Sequence, residues 1–175
     1  MKEIIFQGSA VALITPFKNN SINFSKLSEL IDFQLNNKTD ALVVCGTTGE
    51  ASTMTEKEQL DIIKFVVDYT KKRVPVIAGT GSNNTSHASD LSYKAQELGA
   101  DAILAVTPYY NKTTQAGLIE HFTVISKSVD IPVILYNVPT RTGLNIDVKT
   151  IKSLSKLPNI VGIKEASGDM AQFIR

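Results

Sequence analysis

The chain has 175 residues, 43% of them hydrophobic and 20% charged, with 18 basic side chains against 17 acidic ones. That is ordinary globular composition with length for one core, so a single domain is expected. The charges are scattered, which argues against nucleic acid as a partner. No apolar run approaches the roughly 18 residues needed to cross a bilayer, so no membrane partner is expected. Met1 to Ser9 lack the long apolar core of a signal peptide. The single cysteine, Cys45, rules out an internal disulfide and fits a reducing cytoplasm; it reads as a small core residue. His87 and His121 lie far apart, and no CxxC, HExxH or EF-hand spacing occurs, so no metal site is expected.

In chain order, Ser9 to Phe17 is a short apolar run stopped by Pro16 and reads as a strand. Phe24 to Asn37 has helical spacing, with Asn23 or Ser25 as cap. Ala41 to Gly46 is a strand leading into Thr47-Thr48-Gly49-Glu50. Thr55, with Glu58 three residues on, opens a helix to about Lys72 by a capping box; Leu60, Ile63, Val66 and Val67 form its buried side. Val74 to Gly79 is a strand, and Thr85 to Gly99 a helix stopped by its glycine. Ala102 to Pro108 is a strand running into Tyr109-Tyr110-Asn111, followed by a helix over Gln115 to Val129. Pro132 to Val138 is a strand, Pro139 to Gly143 a loop, and Asp147 to Leu157 a helix capped by Asp147. Ile160 to Ala166 is the last strand, and Asp169 to Arg175 begins a helix.

Strand and helix thus alternate with a spacing of about thirty residues, the βα unit of a parallel sheet. Spacing alone admits a doubly wound sheet and a (β/α)8 TIM barrel. The placement of polar residues favours the barrel. Thr47 and Thr48, Thr80, Tyr109 and Tyr110, Tyr136, Arg141 and Lys164 lie at or near the carboxyl ends of consecutive strands. Chemistry drawn from many strand ends belongs to a barrel mouth, whereas a doubly wound sheet concentrates it at one switch point.

Lys164 lies in the apolar run Ile160-Val161-Gly162-Ile163. In a strand buried on both faces, loss of water favours the neutral amine, which can form a Schiff base with a carbonyl substrate. Alternatively, Lys164 sits at the strand's end and reaches water, or pairs with Glu165. The turn Gly46-Thr47-Thr48-Gly49-Glu50, just before a helix, can present N–H groups and hydroxyls to a carboxylate; it also reads as a plain glycine-rich turn. Tyr136 reads as a core aromatic or, beside a neutral amine, as a proton shuttle. Arg141 reads as solvated or as an anion holder. Gly79-Thr80-Gly81 lacks the third glycine of a dinucleotide loop, and no Walker lysine follows, so no nucleotide is expected.

Four ordered motifs resemble the dihydrodipicolinate synthase family over nearly the whole chain. They are Gly46 to Glu50, Val106 to Asn111, Tyr136 to Gly143 and Gly162 to Gly168. The resemblance implies a (β/α)8 barrel, usually a cytoplasmic homotetramer of lysine (diaminopimelate) biosynthesis. Such an enzyme condenses pyruvate with L-aspartate 4-semialdehyde. It also implies roles: Lys164 carries pyruvate as a covalent imine, and Tyr136, Thr47 and Tyr110 relay protons, Tyr110 reaching a neighbouring subunit's site. Thr48 binds the pyruvate carboxylate, Arg141 the semialdehyde's, and no metal or organic cofactor is involved. N-acetylneuraminate lyase, of the same superfamily, is the alternative; Thr47, Tyr110 and Arg141 favour the synthase.

Two departures from the family pattern carry expectations. The positions that bind inhibitory lysine in regulated members correspond to Glu56, Gln59 and His87, while Asn83 and Tyr109 match; weak or absent inhibition by lysine is expected. The family is also longer. The chain reads as the first six βα units of the barrel, with exposed edges on its first and last strands, and negligible turnover by the 175 residues alone. An inactive piece that only folds or pairs with another chain is therefore the second reading.

Overall fold

Runs of branched apolar residues between capped helices build two compact units, described here from a computed structural model covering residues 4–175. One unit holds residues 4–79 and 94–102; the other holds Thr80–Tyr93 and Ile103–Arg175.

In the first unit, β1 (Ala10–Ala12) pairs in parallel with β4 (Ala41–Val44), and β4 with β5 (Val76–Gly79). Every residue of β4 and β5 is buried, as expected of parallel strands covered on both faces. Between β1 and β4 come β2 (Phe17–Lys18) and β3 (Ser21–Ile22), a small antiparallel hairpin. Its two-residue turn, Asn19-Asn20, has φ of 51° and 59°, the left-handed pair of a type I′ turn, for which asparagine is well suited. The single strand expected over Ser9 to Phe17 is thus two, Ala10–Ala12 and the first arm of this hairpin. Strands of two residues are too short to show alternation.

Helix α1 (Phe24–Asn36) starts at Asn23, whose side chain accepts from the Lys26 N–H at 3.0 Å. Helix α2 (Glu56–Thr70) starts with both halves of the Thr55/Glu58 capping box in place. Ile62, Ile63, Val66 and Thr70 are its buried residues, while Leu60 and Val67 are only half-buried. Ion pairs such as Lys57–Asp61 and Lys64–Asp68 lie on its solvated face and contribute little to stability.

In the second unit, β6 (Ala102–Val106, from Ile103 on), β7 (Val133–Asn137) and β8 (Ile160–Glu165) run parallel, β7 between the other two. Helix α4 (Gln115–Lys127) is capped by Thr114, and α6 (Val148–Leu154) follows β7. Asp147 occupies the cap position of α6 without a capping hydrogen bond. The segment read as a loop after β7 contains a helical turn, α5 (Pro139–Thr142), with proline at its start. Helix α3 (Thr85–Glu97) precedes Gly99, whose φ of 90° ends it as expected. Helix α7 (Met170–Ile174) closes the chain.

Strand β8 departs from expectation. Only Ile160 is fully buried, and Gly162, Lys164 and the residues after it alternate between half-buried and exposed. It stands at an edge of the sheet, paired with β7 alone, so one flank of the strand has no neighbour to exclude water.

Candidate active site

The turn carrying Thr47 and Thr48 is set by backbone packing. After β4, Cys45 adopts a left-handed φ of 53°, uncommon for a residue with a Cβ. The bend it makes brings its carbonyl close to Gly79 at the end of β5. A Cβ on Gly79 would lie 2.3 Å from the Cys45 oxygen and 3.0 Å from the Gly46 nitrogen, so only glycine fits there. Thr15 donates its buried hydroxyl to the Gly49 carbonyl at 2.7 Å, and Gln59 of α2 donates to the Ala51 carbonyl at 2.9 Å. The turn closes on itself through the Glu50 N–H and the Thr47 carbonyl, at 3.1 Å. Thr47 and Thr48 are left exposed, and their hydroxyls have no protein partner among the described residues.

A short 3₁₀ turn (Ala51–Thr53) lies between this turn and α2. Helix α2 starts where the sequence placed it, at the Thr55 cap, satisfied by its own capping box and bearing Glu56 and Glu58 in its first turn. The groups this turn can offer an anion are therefore its own N–H groups and hydroxyls, with no helix N-terminus directly behind them. Cys45 is buried, and burial pushes its thiol up to about 12; it is the inert core residue that was expected.

The second unit places Tyr136 and Lys164 directly opposite each other on β7 and β8. Tyr136 is 7% exposed, and the Lys164 Nζ lies 4.4 Å from the centre of its ring. Lys164 itself is exposed. The buried position expected of it is thus corrected, for the reason that leaves all of β8 half-open. Of the candidate residues, these are the two brought into contact within one unit.

Tyr110 follows β6 with a left-handed φ of 68° and is 93% exposed. Arg141 is exposed on α5, ahead of Gly143. Gly143 has a φ of 68°, and a Cβ added to it would lie 2.8 Å from the Lys112 side chain. Both site residues thus follow the carboxyl ends of their strands, as the barrel reading required.

A polar cluster next to the pair was not singled out from the sequence. Asn137, fully buried, donates its Nδ2 to both Glu165 carboxylate oxygens at 3.0 Å and to the Asn145 Oδ1 at 2.8 Å. Its Oδ1 accepts from the Ile146 N–H at 3.0 Å. Glu165 also accepts from the Ser167 N–H at 2.8 Å and from the Gln172 amide at 3.3 Å. Partial burial pushes the Glu165 carboxyl upward, but the hydrogen bonds from Asn137, Ser167 and Gln172 outweigh it and leave the group below its ordinary range. Glu165 is engaged there and not with Lys164. The available signal was the adjacency of each residue to a candidate: Asn137 follows Tyr136, and Glu165 follows Lys164.

Among the described residues no group of acidic, histidine or cysteine side chains is arranged to hold a metal, and no helix is long and apolar enough to cross a membrane.

A model of the dihydrodipicolinate synthetase family matches residues 5–175. The chain belongs to the dihydrodipicolinate synthetase family. Among its relatives, the 4-hydroxy-tetrahydrodipicolinate synthase of Caldicellulosiruptor saccharolyticus is 64% identical over 169 residues, 96% of this chain and 57% of the relative. The crystal structure of dihydrodipicolinate synthase from Aquifex aeolicus matches with a TM-score of 0.94 at 50% identity, over 95% of this chain and 57% of that one. The chloride-inhibited synthase from Acinetobacter baumannii, complexed with pyruvate, matches with a TM-score of 0.93 at 47% identity, again over 95% and 57%. The fold class is therefore that of the family's (β/α)8 TIM barrel, and the doubly wound alternative falls. The chain spans somewhat over half the length of these family members.

Proposed function

We propose that the chain carries the imine-forming residues of a 4-hydroxy-tetrahydrodipicolinate synthase acting on pyruvate and L-aspartate 4-semialdehyde. The observation that carries this reading is the Lys164 amine held 4.4 Å from the Tyr136 ring on adjacent strands. The amine adds to the ketone carbon of pyruvate, giving a carbinolamine; loss of water then forms the imine. Tyr136, Thr47 and Tyr110 move the protons these steps require, Tyr110 acting in a neighbouring subunit's site. Thr48 and the N–H groups of its turn hold the pyruvate carboxylate, and Arg141 holds that of the semialdehyde.

The imine is itself the electron sink. It acidifies the methyl group of pyruvate, so a proton leaves and an enamine forms. The enamine carbon attacks the aldehyde carbon, and the aldehyde oxygen takes up a proton. The substrate's amino group then attacks the imine carbon, closes the ring and releases Lys164. Every electron pair is accounted for between the two substrates and one lysine, so the sequence of steps calls for no organic cofactor. The synthase names carried by the Acinetobacter baumannii and Caldicellulosiruptor saccharolyticus relatives support this choice over N-acetylneuraminate lyase. A cytoplasmic homotetramer of lysine biosynthesis belongs to the same proposal.

The exposure of Lys164 favours a second reading for the 175 residues by themselves, that of an inactive piece. Borohydride reduction in the presence of pyruvate separates the two. The expected result is a three-carbon adduct on Lys164, located by mass spectrometry of peptides. A cooperatively folded chain that takes up no adduct leaves the second reading standing.

A further inference from the structure

The contact between Tyr136 and Lys164 depends on an irregularity in the sheet. Strand β8 starts in register with β7, Val133 opposite Ile160, but the next pair is Ile134 opposite Gly162. Val161 is thus one residue in excess on β8, a β-bulge. Beyond it the pairs are Leu135 with Ile163, Tyr136 with Lys164, and Asn137 with Glu165. Continued without the bulge, the initial register would set Ile163 opposite Tyr136 and Lys164 opposite Asn137. A slip of one residue turns every side chain to the other face of the sheet, so the amine would lie on the wrong side of β8 for Tyr136.

Two registers therefore compete for the end of β8, the bulged one observed and the unbulged continuation, and interactions past the bulge must favour the first. The next residue pair along the strands does so. Asn137 and Glu165 point to the face opposite Tyr136 and Lys164, where Asn145, Ile146 and Gln172 meet them. Asn137 has a fixed donor–acceptor orientation: its amide nitrogen feeds Glu165 and Asn145, and its oxygen takes the Ile146 N–H. Its backbone carbonyl accepts from the Ala166 N–H at 2.8 Å, which ties the ladder one step past Glu165. In the slipped register, Asn137 would face a lysine, which offers no acceptor for its amide nitrogen, and Glu165 would lose its buried donor.

We propose that Asn137 and Glu165 form a register clasp that holds the bulged strand β8 so that the Lys164 amine faces Tyr136. They are positioning residues and do not act on substrate. The proposal rests on the reading of Lys164 as the imine-forming residue, and its test separates the two. The distance between the Tyr136 ring and the Lys164 methylenes is followed by nuclear Overhauser contacts, and imine formation by the rate of borohydride-trapped pyruvate adduct.

Asn137→Asp replaces the donor with a second acceptor facing Glu165. The contact is expected to vanish and the trapping rate to fall about a hundred-fold, the scale of an ångström-sized misplacement. Asn137→Asp combined with Glu165→Gln restores a donor–acceptor pair with reversed polarity, and both signals are expected to return. That rescue is not expected of a cluster that only adds bulk stability. Should the single variant fail to fold, the double variant decides: a folded chain with the contact supports the clasp, and one without it overturns the clasp. Asn137→Asp with contact and trapping unchanged also overturns it. If the unaltered protein shows the contact but no adduct, and Asn137→Asp loses the contact, the imine reading fails and the clasp stands.

Discussion

The turn after β4 and the strand pair β7–β8 hold candidate residues by opposite means. The turn is shaped by backbone against backbone: Cys45 in a left-handed conformation, Gly79 pressed on its carbonyl, and Thr15 bound to Gly49. The strand pair is shaped by side chains: a bulge at Val161 and a polar cluster around Asn137. The first arrangement leaves no space for change and presents Thr47 and Thr48 on a rigid base. The second can be re-tuned one hydrogen bond at a time. In the proposed function, rigid placement suits the donors assigned to a carboxylate, whereas the lysine assigned to the imine has its orientation set along the strand.

The largest expected effect is chemical and leaves both scaffolds intact. Lys164→Arg keeps a cation near the Tyr136 ring but cannot form an imine. Loss of all reducible pyruvate adduct, with an unchanged circular dichroism spectrum, is the expected result; a normal adduct elsewhere in the chain would end the proposed mechanism. Next is Gly79→Ala, which sets a Cβ against the Cys45 carbonyl. A destabilisation of about 3 kcal/mol is expected, read from the midpoint of urea unfolding. A near-neutral result would mean the turn yields as readily as the clasp.

His121 offers a pH-dependent comparison within the second unit. Burial lowers its pKa to about 4, with Thr85 bonded to its Nδ1 and no partner for its Nε2 among the described residues. The folded pKa lies below the unfolded one, so the neutral ring's contribution is fully present above about 6.5 and is lost as pH falls toward 4. Allowing for partial screening, about 2 kcal/mol of stability is at stake. Unfolding curves measured across this window should flatten in His121→Gln. Glu165, with its pKa lowered, also loses stability on acidification, but only as pH falls through its own folded pKa, below 4.5.

Thr15→Val tests the turn more gently. It removes the donor from the buried Gly49 carbonyl and should cost about 1–2 kcal/mol in the same unfolding assay. The smallest expected effect is a null one. Gln59 donates to the Ala51 carbonyl and Glu56 is paired with Lys94 at 2.7 Å, at positions that the family resemblance sets against the lysine site of regulated members. Initial rates of an intact enzyme carrying these residues are expected to be insensitive to sub-millimolar lysine, and clear inhibition there would refute the expectation.

Much of this was legible in the sequence. Strands β4 to β7 declared themselves as branched apolar runs, α1 and α2 by Asn23 and by the Thr55/Glu58 box, and the motifs by their order. What escaped notice depends on relations between segments. The β2–β3 hairpin is too short for periodicity, and α5 hides in a Pro/Gly-rich stretch. Neither the bulge at Val161 nor the Asn137–Glu165 pairing can be read from one strand, because register is a property of two. The apolar run around Lys164 predicted burial on the assumption of neighbours on both flanks; β8 has one.

The surplus residue at Val161 has a consequence for how such chains are compared. Removing one amino acid between Ile160 and Gly162 would leave each quoted motif from Gly162 onward intact letter for letter, and an alignment would absorb the loss as a trivial gap. The ladder would then run without a break from Val133 opposite Ile160, through Ile134 opposite Gly162, to Tyr136 opposite Lys164, and the amine would still face the phenol. Which way the amine faces is thus set by the partner that each residue of β8 meets on β7, and not by the count of residues ahead of the lysine.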